Sequence, residues 1–122
     1  MPILDVQLIG SVADGDRPDL ARRLADAAGA VFASRPQQTW VTLHFVPDDG
    51  YSENGGALRS GVRPVIISIL HANPPTGEAL TDQIARLTEA IAEACRRSPE
   101  NVHLIYQPLA KGRVAFGGRL VE

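Results

Sequence analysis

Hydrophobic residues along the chain switch between two periods in a fixed order. Over Pro2–Ile9 they alternate in part, Leu4, Val6 and Leu8 against Asp5 and Gln7, which is the two-residue period of a half-buried strand. From Leu20 the spacing becomes three and four, and Leu20, Leu24, Ala27, Ala28 and Val31 fall on one face of a helix. Asp16 and Pro18 stand where a cap and a first-turn proline belong. Ser34-Arg35-Pro36 closes the helix, because a proline disfavours helical backbone in the residue before it. Alternation returns over Trp40–Pro47, with Val41, Leu43 and Phe45 on one face.

The same order then runs a second time. Pro64–His71 repeats the first strand 62 positions on and is more apolar, as suits a central strand covered on both faces. Leu80, Ile84, Leu87, Ile91 and Cys95 form the second helical stripe. Asp82 with Arg86 and Glu93 with Arg97 are i,i+4 pairs on its other side, and Arg96 and Arg97 suit its negative end. Arg97-Ser98-Pro99 ends this helix as Ser34-Arg35-Pro36 ends the first. Asn101–Pro108 then places Val102, Leu104 and Tyr106 on one face, 61 positions after their counterparts. Each half runs on to a glycine pair, Gly55-Gly56 and Gly117-Gly118, which is hairpin chemistry because glycine takes positive φ without steric cost.

The pattern predicts one α/β (α+β) domain over residues 1–122, built from tandem β-α-β repeats at about 2–56 and 64–118. Such units cross over right-handed, giving a four-stranded mixed sheet with two helices on one face and a C-terminal hairpin. In this reading Pro64 takes the position of Pro2. The opposite face carries Asp5, Gln7, Thr42, His44 and His103 beside Ile67, Ile69 and Ile105. That mixture is too apolar for bare solvent and too polar for a dry core, so it calls for a symmetric oligomer packed on these faces.

Composition narrows the chemistry. A chain of 122 residues buries roughly two thirds of its unfolded surface and holds its own core. With Cys95 alone no disulfide forms within the chain, and its place on the helical stripe reads as a buried, inert thiol. Twelve basic residues against fourteen acidic ones leave a net charge of −2, without the footprint of a nucleic-acid or anionic-membrane binder. No apolar run approaches the ~20 residues of a spanning helix, and no basic region followed by an apolar run opens the chain. A cytoplasmic setting is the expectation. His44, His71 and His103 fall on three separate strands without zinc-site spacing, and no phosphate-binding glycine loop is present, so neither a metal nor a cofactor is expected.

The order of elements is shared with ferredoxin-like domains, but short motifs favour another family. Met1-Pro2-Ile3 opens directly into the first strand. The run Val102-His-Leu-Ile-Tyr-Gln-Pro-Leu-Ala-Lys-Gly-Arg-Val-Ala-Phe-Gly-Gly118 resembles the closing strand and hairpin of 4-oxalocrotonate tautomerase. Val41-Thr-Leu-His-Phe-Val-Pro-Asp48 is similar to the matching strand of macrophage migration inhibitory factor. Over almost the whole chain the resemblance is to the tautomerase superfamily, in its fused two-repeat, trimeric members.

That resemblance implies a cofactor-independent tautomerase or isomerase acting on a small 2-oxo or 2-hydroxydienoate acid, with its site at the subunit interface of a homotrimer. Pro2, exposed by removal of Met1, would be the general base: a free proline nitrogen is a rigid secondary amine with a lone pair, which an amide lacks. Pro64, inside the chain, cannot play that part. His103 matches a strand position that reaches a neighbouring subunit's proline, where it would polarise a carbonyl. Arg35 would hold the substrate carboxylate. Arg113, Phe116 and Tyr51 are further substrate-binding candidates, Phe116 standing in for an aromatic whose direct match is Val114. The match of His44 lies outside the site, and its reading is structural. Arginines used by relatives fall on Val12, Ala72 and Pro75, and the aspartate of the decarboxylase branch falls near Gln38. These departures disfavour dehalogenase and decarboxylase chemistry, and a hydratase of the same superfamily ranks with them below a tautomerase. They leave as the alternative a non-catalytic oligomeric binding protein that retains the fold.

Overall fold

The structure, a computed structural model, describes residues 2–56, 58 and 62–122. Four strands, β1 (Ile3–Ile9), β2 (Trp40–Val46), β3 (Val65–Leu70) and β4 (Val102–Tyr106), form one sheet in the order β2-β1-β3-β4. β1 runs parallel to β2 and β3 parallel to β4, while β1 and β3 meet antiparallel at the centre. The helices α1 (Leu20–Phe32) and α2 (Gly77–Cys95) lie on one face, and a short antiparallel hairpin of β5 (Ala115–Phe116) and β6 (Arg119–Leu120) closes the chain. Gly117 and Gly118 turn it with φ of 57° and 87°, the two positive values a two-residue type I′ turn requires.

Alternation along the central strands makes the core. Leu4, Val6 and Leu8 of β1 and Val65, Ile67 and Ile69 of β3 are buried against Leu20, Leu24 and Ala28 of α1 and Leu87, Ile91 and Cys95 of α2. Val41, Leu43 and Phe45 on β2 and Leu104 and Tyr106 on β4 extend the same face. Val6 lies opposite Ile67 at the centre of the β1–β3 ladder. Leu4 pairs with Val41 and Val65 with Val102, so in both halves the parallel partner lies 37 residues on.

That register corrects two expectations. Ile67 and Ile69 face the helices, and it is Ile66, Ser68 and Leu70 that share the outer face with Asp5, Gln7, Thr42, His44, His103 and Ile105. The halves superpose with an offset of 61 rather than 62, so Arg63, not Pro64, takes the place of Pro2. Side chains alternate with a period of two, and a slip of one residue sends every side chain to the wrong face. The two prolines agree in identity and differ in position.

The helix ends depart from the pattern in detail. α1 starts at Leu20 behind Asp19 rather than at Asp16. Asp16 instead pairs with Arg96 at 3.6 Å, and its carbonyl accepts from Arg23 at 3.4 Å. Ala33 and Arg96 close the two helices in the left-handed conformation, φ 53° and 55°, ahead of the prolines that mark these ends in the sequence. Asp82 and Arg86 form their pair at 3.8 Å. Arg97 turns away from Glu93 and donates to the carbonyls of Arg63 at 2.8 Å, Ile9 at 2.9 Å and Ser11 at 3.4 Å, joining the end of α2 to the end of β1 and the lead-in to β3. Gly10 lies beneath this junction with φ 85°, and a Cβ there would sit 2.7 Å from the Arg63 side chain.

Candidate active site

Pro2 heads β1 at the end of the sheet where β2 begins and β3 finishes. It is buried, and its carbonyl accepts the Trp40 N–H at 3.1 Å, which fixes the residue against the first position of β2. Arg113 lines an open depression of about 510 Å³ on the outer face near this end, together with Ile3, Asp5, Ser68, Leu70 and Val114. Phe116 meets Trp40 edge-on, ring centroids 5.2 Å apart. Arg35 is exposed on the loop that runs from α1 into β2, and Gln38 donates its N–H to the Arg35 carbonyl at 3.1 Å. Arg35 joins no ion pair seen among the described residues.

Two candidates lie at the far end. His103 is exposed on edge strand β4 and pairs with Ile66, which itself pairs with Gln7, so within one chain it stands two strands across and about 13 Å along from Ile3. Tyr51 follows the turn beyond the end of β2, where Val46 pairs with Ile9. Its hydroxyl donates to Glu53 at 2.7 Å, and that bond, with the carboxylate's charge, raises its pKa. One copy of the chain thus brings Pro2, Arg113 and Phe116 to one end with Arg35 on the adjoining loop, and holds His103 and Tyr51 away from them.

The remaining polar groups have structural settings. His44 donates from Nε2 to Asp5 at 2.8 Å, and Thr42 donates to the same carboxylate oxygen at 2.9 Å, tying β2 to β1 on the outer face. Burial pushes the Cys95 thiol up to about 11, so it stays protonated and unreactive at neutral pH. Among the described residues no group of His, Cys, Asp and Glu could hold a metal ion, and no helix is long and apolar enough to cross a membrane.

Two side chains at the Pro2 end escaped the sequence reading. Trp40 is 44% exposed, with its indole N–H capped by the Gln37 carbonyl at 2.9 Å; a large apolar ring at a strand's first residue was the available signal. His71, just past β3, packs edge-on against Phe32 at 5.6 Å, and its Nδ1 accepts the Asn73 N–H at 3.0 Å. Burial lowers its pKa. Nothing in its sequence neighbourhood marks it, since its partners are a ring from another element and a backbone amide.

No protein-family model and no curated protein sequence matches the chain. Solved structures do match in fold. Pt0534, in a form inactivated by 2-oxo-3-pentynoate, aligns with a TM-score of 0.77 at 16% identity over 98% of this chain and 94% of its own. A wild-type fused 4-OT (Q0), a symmetric trimer, aligns at 0.75 and 15% over 98% and 94%. The chain has the tautomerase-superfamily fold. A malonate semialdehyde decarboxylase (FG41), inhibited by 3-bromopropiolate, shares it at 0.71 and 19% over 94% and 88%. The fold therefore serves more than one reaction, and the choice among them rests on the residues at the Pro2 end.

Proposed function

We propose that the chain is a cofactor-independent tautomerase for small 2-oxo or 2-hydroxydienoate acids, with Pro2 as general base once Met1 has been removed. The observation that carries this reading is the place of Pro2: buried at the head of β1, held through its carbonyl by Trp40, at the end of the sheet that also carries Arg113 and Phe116. Freed of Met1, its nitrogen is a secondary amine. Chain-terminal amines ordinarily titrate near 7.7–8.0, and apolar surroundings lower this by disfavouring the ammonium form, so the base is available at neutral pH. The amine takes the proton α to the carbonyl, or the enol proton, and returns it at carbon, leaving the atom count of the substrate unchanged.

The cations for the carboxylate are Arg35 and Arg113, and Phe116 with Trp40 supplies an apolar wall. His103 enters such a site only from another copy of the chain. The trimer formed by a fused 4-OT supports the same assembly here, with the outer sheet faces turned toward one another. Inactivation of Pt0534 by 2-oxo-3-pentynoate supports a 2-oxo acid as substrate, because an alkyne conjugated to a ketone captures a nucleophilic amine.

The test is ketonisation of 2-hydroxypenta-2,4-dienoate by protein from which Met1 has been removed. Pro2→Ala is expected to lower kcat/KM about 100-fold or more, and Arg35→Ala to raise KM with kcat little changed. Full activity in Pro2→Ala contradicts the mechanism. The second reading, a non-catalytic oligomeric binding protein, draws on Val12, Ala72 and Pro75 standing where relatives use arginines. It predicts no turnover in the parent protein.

A further inference from the structure

We propose that the depression on the outer sheet face is a binding site for a small dipolar molecule, with Arg113 on its carboxylate and Asp5 on an ammonium at its other end. The proposal rests on the reading of Pro2 as general base and narrows its substrates to 2-oxo acids with a cationic far end.

Placement comes from the register and from the segment after β4. Ile3 pairs with Leu70 and Asp5 with Ser68, so these four side chains share the outer face and line the depression together. Ile3 directly follows Pro2, which sets the Ile3–Leu70 end of the lining beside the head of β1. Three backbone bonds fasten the segment that supplies the remaining wall. Gln107 donates its N–H to the Ile69 carbonyl at 2.8 Å, Ala110 to the His71 carbonyl at 3.1 Å, and Arg113 to the Ala110 carbonyl at 2.8 Å. Arg113 and Val114 thereby join the lining from outside the sheet. A volume of about 510 Å³ lies within the range of small-ligand sites, about 300–1,000 Å³.

The charges decide the ligand. Asp5 and Arg113 are the two charged residues of the lining, one of each sign. Asp5 is held from β2, where Thr42 donates to Oδ1 at 2.9 Å and His44 Nε2 donates to the same atom at 2.8 Å. Both bonds use one oxygen, and Oδ2 has no partner among the described residues. Arg113 joins no ion pair seen among those residues, with Asp5 or any other carboxylate. A ligand with a carboxylate at one end and an ammonium at the other satisfies both groups through charge-assisted hydrogen bonds. A dicarboxylate brings its second charge to Asp5 and is repelled. An acid with an apolar far end gains nothing from Asp5 and costs that carboxylate part of its water. Ile3, Leu70 and Val114 supply apolar contact for the methylenes in between.

The test is an NMR titration of the parent protein with 6-aminohexanoate, heptanoate and pimelate, which share one carboxylate and methylene chain and differ only in the far group. 6-Aminohexanoate is expected to bind at least about tenfold more tightly than either of the others, shifting the amides of Asp5, Ser68 and Arg113. Asp5→Asn keeps an oxygen for Thr42 and His44 and loses the charge. It is expected to bring 6-aminohexanoate to within about twofold of heptanoate. Arg113→Gln is expected to weaken 6-aminohexanoate at least about fivefold. Equal or absent binding of the three acids, shifts confined to another surface, or an unchanged preference in Asp5→Asn or affinity in Arg113→Gln overturns the site. 6-Aminohexanoate is also expected to compete with 2-hydroxypenta-2,4-dienoate in the ketonisation assay, and binding without competition overturns its link to the substrate. A parent protein that binds with this preference and turns nothing over contradicts the reading of Pro2 and leaves the dipolar site standing.

Discussion

At the scale of single residues, side chains whose partners are other side chains nearby in sequence can be read from the chain, and those whose partners are backbone groups cannot. Asp82 and Arg86 are four apart on an exposed face and meet as the spacing implies. Glu93 and Arg97 have the same spacing, yet Arg97 takes the carbonyls of Ile9, Ser11 and Arg63 instead. A half-buried guanidinium gains more from three oriented acceptors than from one solvated carboxylate. No residue type records a free carbonyl, so this junction and the Asn73–His71 bond were both invisible. Arg97→Met keeps most of the side-chain length and removes the donors. It is expected to lower unfolding stability by about 2 kcal/mol at fixed protein concentration, read as a lower urea midpoint with unchanged slope. A shift within about 0.5 kcal/mol would show that water replaces the guanidinium without cost.

At the scale of elements, the four main strands and both helices were legible because each keeps its own period over a full length. Their ends and register were less so. Asp16 and Pro18 carry the chemistry of a helix start, but Asp16 is drawn to Arg23 and Arg96, and α1 begins only at Leu20. In β3, Val65, Ile66, Ile67, Ile69 and Leu70 are all apolar, so alternation could not say which of them face the helices. The likeness of Pro2 and Pro64 then suggested an offset of 62, and the burial of Val65, Ile67 and Ile69 as counterparts of Leu4, Val6 and Leu8 sets it to 61. The second half consequently has Arg63 where the first has Pro2. Its carbonyl accepts from Arg97 and its guanidinium pairs with Asp48 at 3.0 Å. That end of the sheet is an anchored junction, and the second half has no proline at the place of Pro2.

At the scale of the whole molecule, the described residues leave much of the outer sheet face and of the C-terminal segment exposed in a single chain. Ile105, Leu109 and Leu120 are about half exposed, close to Trp40 at 44%. Exposed apolar groups in such number mark an interaction surface. The sequence indicated this through its mixed face, although it placed Ile67 and Ile69 there in error. Ile105→Asp puts a charge at the centre of β4's outer face. It is expected to convert a trimer to monomers at the same concentration in sedimentation velocity, with helix content by circular dichroism retained. A trimer that survives the substitution would place the contact elsewhere.

General-base catalysis by Pro2 turns on the ionisation of one nitrogen, and the most direct measurement is a ¹⁵N-proline NMR titration of that residue. A secondary amine at the buried head of β1 is predicted to titrate below about 7.7, since burial disfavours its charged form. A larger fraction of it is then unprotonated at neutral pH than of an ordinary chain-terminal amine, with kcat/KM rising as pH passes through the same value and levelling above it. A Pro2 nitrogen that does not titrate is an amide still bearing Met1, and one that titrates at or above 8 lacks the apolar setting. Either result contradicts Pro2 as the general base.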